Sequence, residues 1–201
     1  MKRKLIVAIL GISMLAPIAS VHAQGNINLY NYDSLGPVAN LITYGAGSGG
    51  TVGQGIAGPG WTVGMYVALG DIASTVNVSF SGVNYGIITG MGPQATGAGA
   101  TTPLGDFLPG QYSSMVEYNT GFTGGSVVTV VVVAYNGANY DTSTLRGHSQ
   151  AFTMTTSIAP EFAPLTGSFM DGFAIPAIPE PSVFALAGLG LAGLLIFRRR
   201  R

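Results

Sequence analysis

Val127-Val128-Thr129-Val130-Val131-Val132-Val133-Ala134-Tyr135 is almost wholly apolar and β-branched. A short valine-rich run bounded by polar residues reads as a strand, and the lack of polar alternation predicts a central one, covered on both faces. Away from this run the period is two. Trp61, Val63, Met65, Val67 and Leu69 alternate with Thr62, Gly64, Tyr66 and Ala68, while Ile27 and Leu29 alternate with Asn26, Asn28 and Tyr30. Val76, Val78 and Phe80 alternate with Thr75, Asn77 and Ser79. Each set predicts a half-buried strand, and residues 112–118 and 150–156 are further candidates. Gly36-Pro37, Gly58-Pro59-Gly60, Gly92-Pro93 and Pro109-Gly110 punctuate these runs as turns. No stretch before the C-terminal tail sustains a helical period. The expected fold is therefore all-β: a single antiparallel β-sandwich or jelly-roll-like domain. One short exception is a turn over residues 142–146, capped by Asp141 and ended by Gly147.

Two segments carry little strand signal. Residues 45–60 are half glycine and read as a flexible loop, and residues 86–110 mix Gly, Ala, Thr and Pro with few large side chains. No internal repeat of roughly 20–50 residues suggests a solenoid or propeller.

Charged residues make only 8% of the 201-residue chain, against about 25% in an ordinary soluble domain, while 47% is hydrophobic, enough for a core. Glycine (31) and proline (11) stay below the density of low-complexity disorder. Without cysteine there are no disulfides, thiolate zinc sites or cysteine nucleophiles.

The formal charge of zero averages over unlike parts. Met1-Lys2-Arg3-Lys4, an apolar run over residues 5–18 and Val21-His22-Ala23 have the order of a secretory signal peptide, with cleavage expected between Ala23 and Gln24. At the other end Pro179-Glu180-Pro181 precedes sixteen uncharged residues, 182–197, and then Arg198, Arg199, Arg200 and Arg201. Sixteen helical residues reach about 24 Å, a marginal span of an approximately 30 Å hydrocarbon core that snorkelling arginines would complete. The arginines favour a cytoplasmic C-terminus and the signal peptide sends the middle outside, so the two ends agree. The expected division is 1–23 signal peptide, 24–178 exported β domain and 179–201 tail with a transmembrane helix.

Over residues 24–181 Arg146 alone faces Asp33, Asp71, Asp106, Glu117, Asp141, Glu161, Asp171 and Glu180, a formal charge of −7, or −6 once processing removes Glu180. Phosphate backbones and anionic lipid surfaces are bound through Lys/Arg clusters, so nucleic acid is not an expected partner. Gly188-Leu189-Gly190-Leu191-Ala192-Gly193 matches GxGxxG but follows no strand and opens no βαβ unit, so it is no dinucleotide site.

Pro179-Glu180-Pro181, one short Gly/Ala/Leu-rich hydrophobic helix and a terminal arginine cluster together resemble the PEP-CTERM sorting signal of Gram-negative bacteria. That resemblance implies recognition and processing by an exosortase-type membrane cysteine protease and delivery to the cell surface or exopolysaccharide matrix, after transient anchoring in the inner membrane. Signal peptidase and the secretion machinery are the other implied partners. A softer resemblance covers most of the exported part. Ile27-Asn28-Leu29-Tyr30-Asn31-Tyr32, Val132-Val133-Ala134-Tyr135-Asn136, Gly147-His148-Ser149-Gln150 and Pro164-Leu165-Thr166-Gly167 are similar to a group of short PEP-CTERM proteins common in planctomycete and verrucomicrobial genomes. Tyr135 stands where that group often has Trp, and the group lends no activity.

Chemistry is sparse. His148 lies near Arg146, Ser149 and Asp141 in sequence, but no GxSxG elbow surrounds any serine, and a hydrogen-bonded corner is the simpler reading. Asp106, Glu117, Asp141 and Asp171 are the candidate acids for a glycosidase pair, and solvated loop acids are the plainer alternative. No calcium loop motif appears, though scattered carboxylates and carbonyls leave such a site open. Asn77-Val78-Ser79 fits the glycosylation triplet. Trp61 and nine tyrosines offer flat faces to sugar rings, with Trp61, Tyr66, Tyr112 and Tyr118 the first glycan-contact candidates, although tyrosine also fills strand faces without any ligand.

The expectation is a non-enzymatic surface or matrix protein, structural or adhesive, with no catalytic residue, metal or cofactor. The alternative is a carbohydrate-binding module of the exopolysaccharide, and behind it a secreted glycan hydrolase.

Overall fold

The valine run forms the middle of the molecule. The structure, a computed structural model, describes residues 24–32, 40–76, 84–106, 108–158, 161 and 163–178. Its strands are β1 (Gln24–Ile27), β2 (Ile42–Tyr44), β3 (Thr62–Leu69), β4 (Thr101–Pro103), β5 (Tyr118–Thr123), β6 (Val127–Tyr135), β7 (Arg146–His148), β8 (Phe152–Thr155) and β9 (Phe173–Ile175). Apart from one 3₁₀ turn, Thr166–Ser168, every element is a strand, so the described fold is all-β. β6 spans the predicted nine residues and lies between β3 and the β7/β8 edge, in a sheet of order β4-β3-β6-β7 with β8 also on β6. All pairs in this sheet are antiparallel.

β7 and β8 occupy one edge of β6 in different registers. His148 stands opposite Val133 and Phe152 opposite Val130, so residues 149–151 face only residues 131 and 132. Ser149 fills the interruption: its N–H donates to the Val132 carbonyl (2.8 Å) and its Oγ accepts the Val132 N–H (3.0 Å). This bulge changes which face the side chains meet. His148 shares the face of Val131, Val133 and Tyr135, whereas Phe152 and Met154 share that of Val128, Val130 and Val132.

The second of these faces is apolar. Val63, Met65, Val128, Val130, Val132, Ala134 and Met154 pack there against β1, β2 and β9, and against Ile56, Leu104, Tyr112 and Met170. The covering strands form two pairs. β1 lies antiparallel to β5, but β2 and β9 run parallel, with Ile42 opposite Phe173. This departs from the expected all-antiparallel arrangement, and the long chain between β2 and β9 makes the parallel crossover possible.

The expected half-buried character of β3 does not hold. Val63, Gly64, Met65 and Tyr66 are all buried, because Val76, Ile88, Met91 and Tyr140 cover the face that carries Tyr66. Residues 86–110 thus contribute core anchors and β4 despite their bland composition. Residues 45–60 fold back on β2 through Tyr44 N–H to Gln54 O (2.9 Å) and Ile56 N–H to Ile42 O (3.0 Å), and Ile56 is fully buried. The candidate strand at 112–118 is split. Tyr112 and Ser113 form isolated bridges, Ser114 Oγ donates to Val116 O (2.7 Å) in a bend, and β5 starts only at Tyr118. The turn expected from Asp141 is built by Asn139, whose Oδ1 accepts the Thr142 N–H (3.0 Å); Arg146 joins β7 opposite Tyr135 instead of closing a helical turn. Residues 77–80 and 179–201 lie outside the described residues, as do the signal-peptide residues 1–23, including Ala23. Among the described residues no helix is long and apolar enough to cross a membrane.

Candidate functional site

The four aromatic residues singled out for sugar contact occupy unlike places. Tyr112 is fully buried, with its hydroxyl against Thr166 Oγ1 and Met170 Sδ (3.2 Å each), and burial pushes its ionisation well up from the ordinary tyrosine value. Tyr66 is 3% exposed, its hydroxyl donates to Asp141 Oδ1 (3.4 Å), and burial followed by the Asp141 charge pushes its pKa up to about 12. Neither can lay a ring face against a ligand in solvent, so both are corrected to framework residues. Tyr118 opens β5 opposite Ile27 and packs half-buried against the apolar core.

Trp61, like Tyr118, is half-buried against the apolar core; it lies immediately before β3, with its ring edge-to-face on Tyr44 (centroids 6.2 Å, 78°). Tyr44 is itself tied down, its hydroxyl donating to Ala57 O (3.0 Å). On its other side Gly50 approaches so closely that a Cβ there would fall 2.4 Å from the ring. The glycine-rich 45–60 segment thus buttresses this indole.

Trp61 borders an open groove at the end of the sheet where β3 begins and β6 ends. One lobe, about 710 Å³, is lined among others by Trp61, Asp106 and Asn136. A second, about 460 Å³, is lined among others by Gln94, Tyr135 and Asn139. Thr62 and Thr101 line both, so the two lobes are neighbours. Gln94 reaches the floor because position 64 is glycine. Its Nε2 lies 2.4 Å from where a Gly64 Cβ would stand, and it donates to the Tyr135 hydroxyl (3.2 Å).

The His148 region resolves into a packing cluster. The His148 side chain is fully buried, and Nδ1 lies 2.8 Å from Ser149 O. A carbonyl only accepts, so Nδ1 carries the proton and Nε2 is a bare acceptor, without a hydrogen-bond partner among the described residues. Burial holds the imidazole pKa below its ordinary value, against the opposing pull of the Ser149 carbonyl. Ser149 Oγ is engaged with the Val132 N–H and with Gln150 O (2.8 Å), and Asp141 is exposed and bonded to Tyr66, so the three groups do not form a relay.

Arg146 is 9% exposed and spends its guanidinium on backbone carbonyls. Nε donates to Tyr85 O (2.9 Å), Nη1 to Tyr140 O (3.1 Å) and to Asp141 O, and the ion sits 5.3 Å from the Tyr140 ring centroid. Sequence reasoning put this arginine with His148 in a hydrogen-bonded corner without naming the carbonyls it meets. A lone cation in an anionic domain was the available signal, since such a residue is seldom a surface decoration.

The candidate acids are scattered. Glu117 accepts from Asn26 Nδ2 (3.1 Å), Asp141 from Tyr66, Asp106 lines the Trp61 lobe, and Asp171 borders a separate cleft beside Phe173. No three of His, Cys, Asp or Glu converge as a metal site among the described residues.

The chain leaves the fold beside β7. Ala177 N–H donates to Ala46 O (2.9 Å) and Ile178 N–H to Thr144 O (3.1 Å), placing the last described backbone bond one residue before Pro179. Residues 177–201 match the PEP-CTERM protein-sorting motif. The motif marks an exported protein sorted by an exosortase, a membrane protein and agrees with the resemblance drawn from the tail. Pro179, Glu180 and Pro181 and Arg198 to Arg201 fall inside the matched segment and outside the described residues. No match was found among curated proteins or among solved structures.

Proposed function

We propose that the chain is a non-enzymatic adhesive or structural protein of the cell surface or exopolysaccharide matrix. Its N-terminal segment is removed between Ala23 and Gln24, its C-terminal helix holds it transiently in the inner membrane, and an exosortase separates it near Pro179-Glu180-Pro181. The observation that carries this reading is the sorting motif matched at residues 177–201, whose first two residues are still bonded to the β domain at Ala46 and Thr144, so that cleavage near Pro179-Glu180-Pro181 would spare those bonds. The five-stranded sheet and the strand pairs on its apolar face support a sandwich-like domain as the released unit. A non-enzymatic role is supported by the commitment of Ser149 Oγ and the Arg146 guanidinium to backbone groups.

Mass spectrometry of extracellular material is expected to find peptides beginning at Gln24 and none from residues 182–201. Recovery of intact tail from the surface would overturn the processing step. Deleting the exosortase should leave the full tail in the membrane fraction. A second reading, adhesion through glycan, is favoured by the half-buried Trp61, which is held by Tyr44 at the border of a groove.

A further inference from the structure

We infer that the two-lobed groove between Trp61 and Tyr135 binds a segment of neutral polysaccharide several sugar rings long. The inference rests on the glycan-adhesion reading and specifies its site and ligand class. Its first support is chemical. Thr62, Thr101, Asp106 and Asn136 line the groove without any side-chain hydrogen bond among the described residues. A half-exposed indole beside free hydroxyl, amide and carboxylate groups offers what a sugar ring requires, an apolar C–H face on one side and hydroxyls at the rim.

The second support is preorganisation. Tyr44 and Gly50 hold Trp61, and the Tyr135 hydroxyl holds Gln94 across Gly64, so little side-chain ordering is left for the ligand to impose. The third is shape, since both lobes fall within the usual size of ligand clefts, about 300–1,000 Å³, and lie side by side against Thr62 and Thr101, as successive rings of one chain would require. Charge sets the class. The lining residues include no cation, Asp106 is anionic, and the only exported basic residue, Arg146, is bound to backbone carbonyls, so uronate, sulfate and phosphate polymers meet repulsion without compensation.

The test is affinity electrophoresis and titration calorimetry of the full-length chain, held in a detergent without a sugar headgroup. The probes are neutral glucan, mannan, xylan and galactan against alginate and polygalacturonate. At least one neutral polymer should retard the chain and neither polyuronate should. A tetrasaccharide of the bound polymer should bind at least tenfold more tightly than its monosaccharide. Trp61→Ala should weaken binding at least tenfold and Asn136→Ala about threefold, each measured well below that variant's own thermal midpoint, while Trp61→Phe keeps most of the affinity. Binding that survives both Trp61→Ala and Asn136→Ala would overturn the groove while sparing glycan adhesion. Failure of every neutral polymer would overturn both. Equal retardation by polyuronates would overturn the assignment of ligand class. Export and processing are read separately by cell fractionation, so their failure is not confused with loss of the site.

Discussion

The two faces of the β3–β6 sheet are built from different materials. One face is a stack of aliphatic side chains, Val63, Met65, Val128, Val130 and Val132, covered by strands. The other mixes Val131 and Val133 with Tyr66, Tyr135 and His148, and is covered by loops that bring Val76, Ile88, Met91 and Tyr140, with Arg146 bonded among them. The first face is stabilised by apolar area removed from water, which needs no particular partner. The second depends on directional bonds, since each buried hydroxyl, ring nitrogen or guanidinium costs free energy unless it is matched. The difference predicts different responses to substitution.

The largest effect is expected on the aliphatic face. Met65 is fully buried in the strand-covered core, and Met65→Ala should lower unfolding stability by about 3–4 kcal/mol through lost transfer energy and the cavity left behind. A urea midpoint that scarcely moves would mean that this face is less closely packed than its burial implies. On the loop-covered face Arg146→Ala should cost about 3 kcal/mol, because the Tyr85, Tyr140 and Asp141 carbonyls lose a charged donor at once. Arg146→Lys should recover less than half of that. A single ammonium cannot reach Tyr85 O on one side and Tyr140 O on the other as the planar fork does. Full recovery by lysine would show that charge alone is required and would weaken the contrast between the faces.

A smaller effect is expected where the two faces exchange side chains. Ser149→Ala removes the acceptor of the buried Val132 N–H and should cost about 2 kcal/mol in a urea titration. Ser149→Thr keeps the hydroxyl and should stay within about 1 kcal/mol of the parent. If alanine proved neutral, the register shift between β7 and β8 would be held by the strands and not by this hydroxyl.

The same contrast explains what could be read from the sequence. Periodicity finds a strand when one face is uniformly apolar, so β6 and β3 are legible over nearly their full lengths. It cannot show that Tyr66 is covered, because Ile88 and Met91 lie in a segment with no strand period, and the alternation that begins at Val76 does not say which sheet face Val76 meets. β2, β4, β7 and β9 are three residues each, too short for alternation to register, and they take their places through long-range pairing. At the candidate site Trp61 was legible as a residue type. Its selection over Tyr66 and Tyr112 was not, since burial decides which aromatic is presented and composition does not. Gln94, Asn136 and Asp106 come to the groove from three separate loops, which no local pattern links.

The finest probe of the aromatic face is its dependence on pH. Burial holds the folded His148 pKa below its unfolded value of about 6.5, so below that pH the unfolded chain binds the additional proton. The contribution is therefore complete above the unfolded pKa and is lost as pH falls through about 6.5 toward the folded value. One group contributes a slope of at most about 1.4 kcal/mol per pH unit. His148→Gln, measured by urea denaturation at several pH values between about 7 and 5, should flatten the acid limb relative to the parent. A parent and His148→Gln pair with parallel acid limbs would mean that the imidazole gains a partner for Nε2 on protonation, and the loop-covered face would then tolerate charge better than its burial suggests.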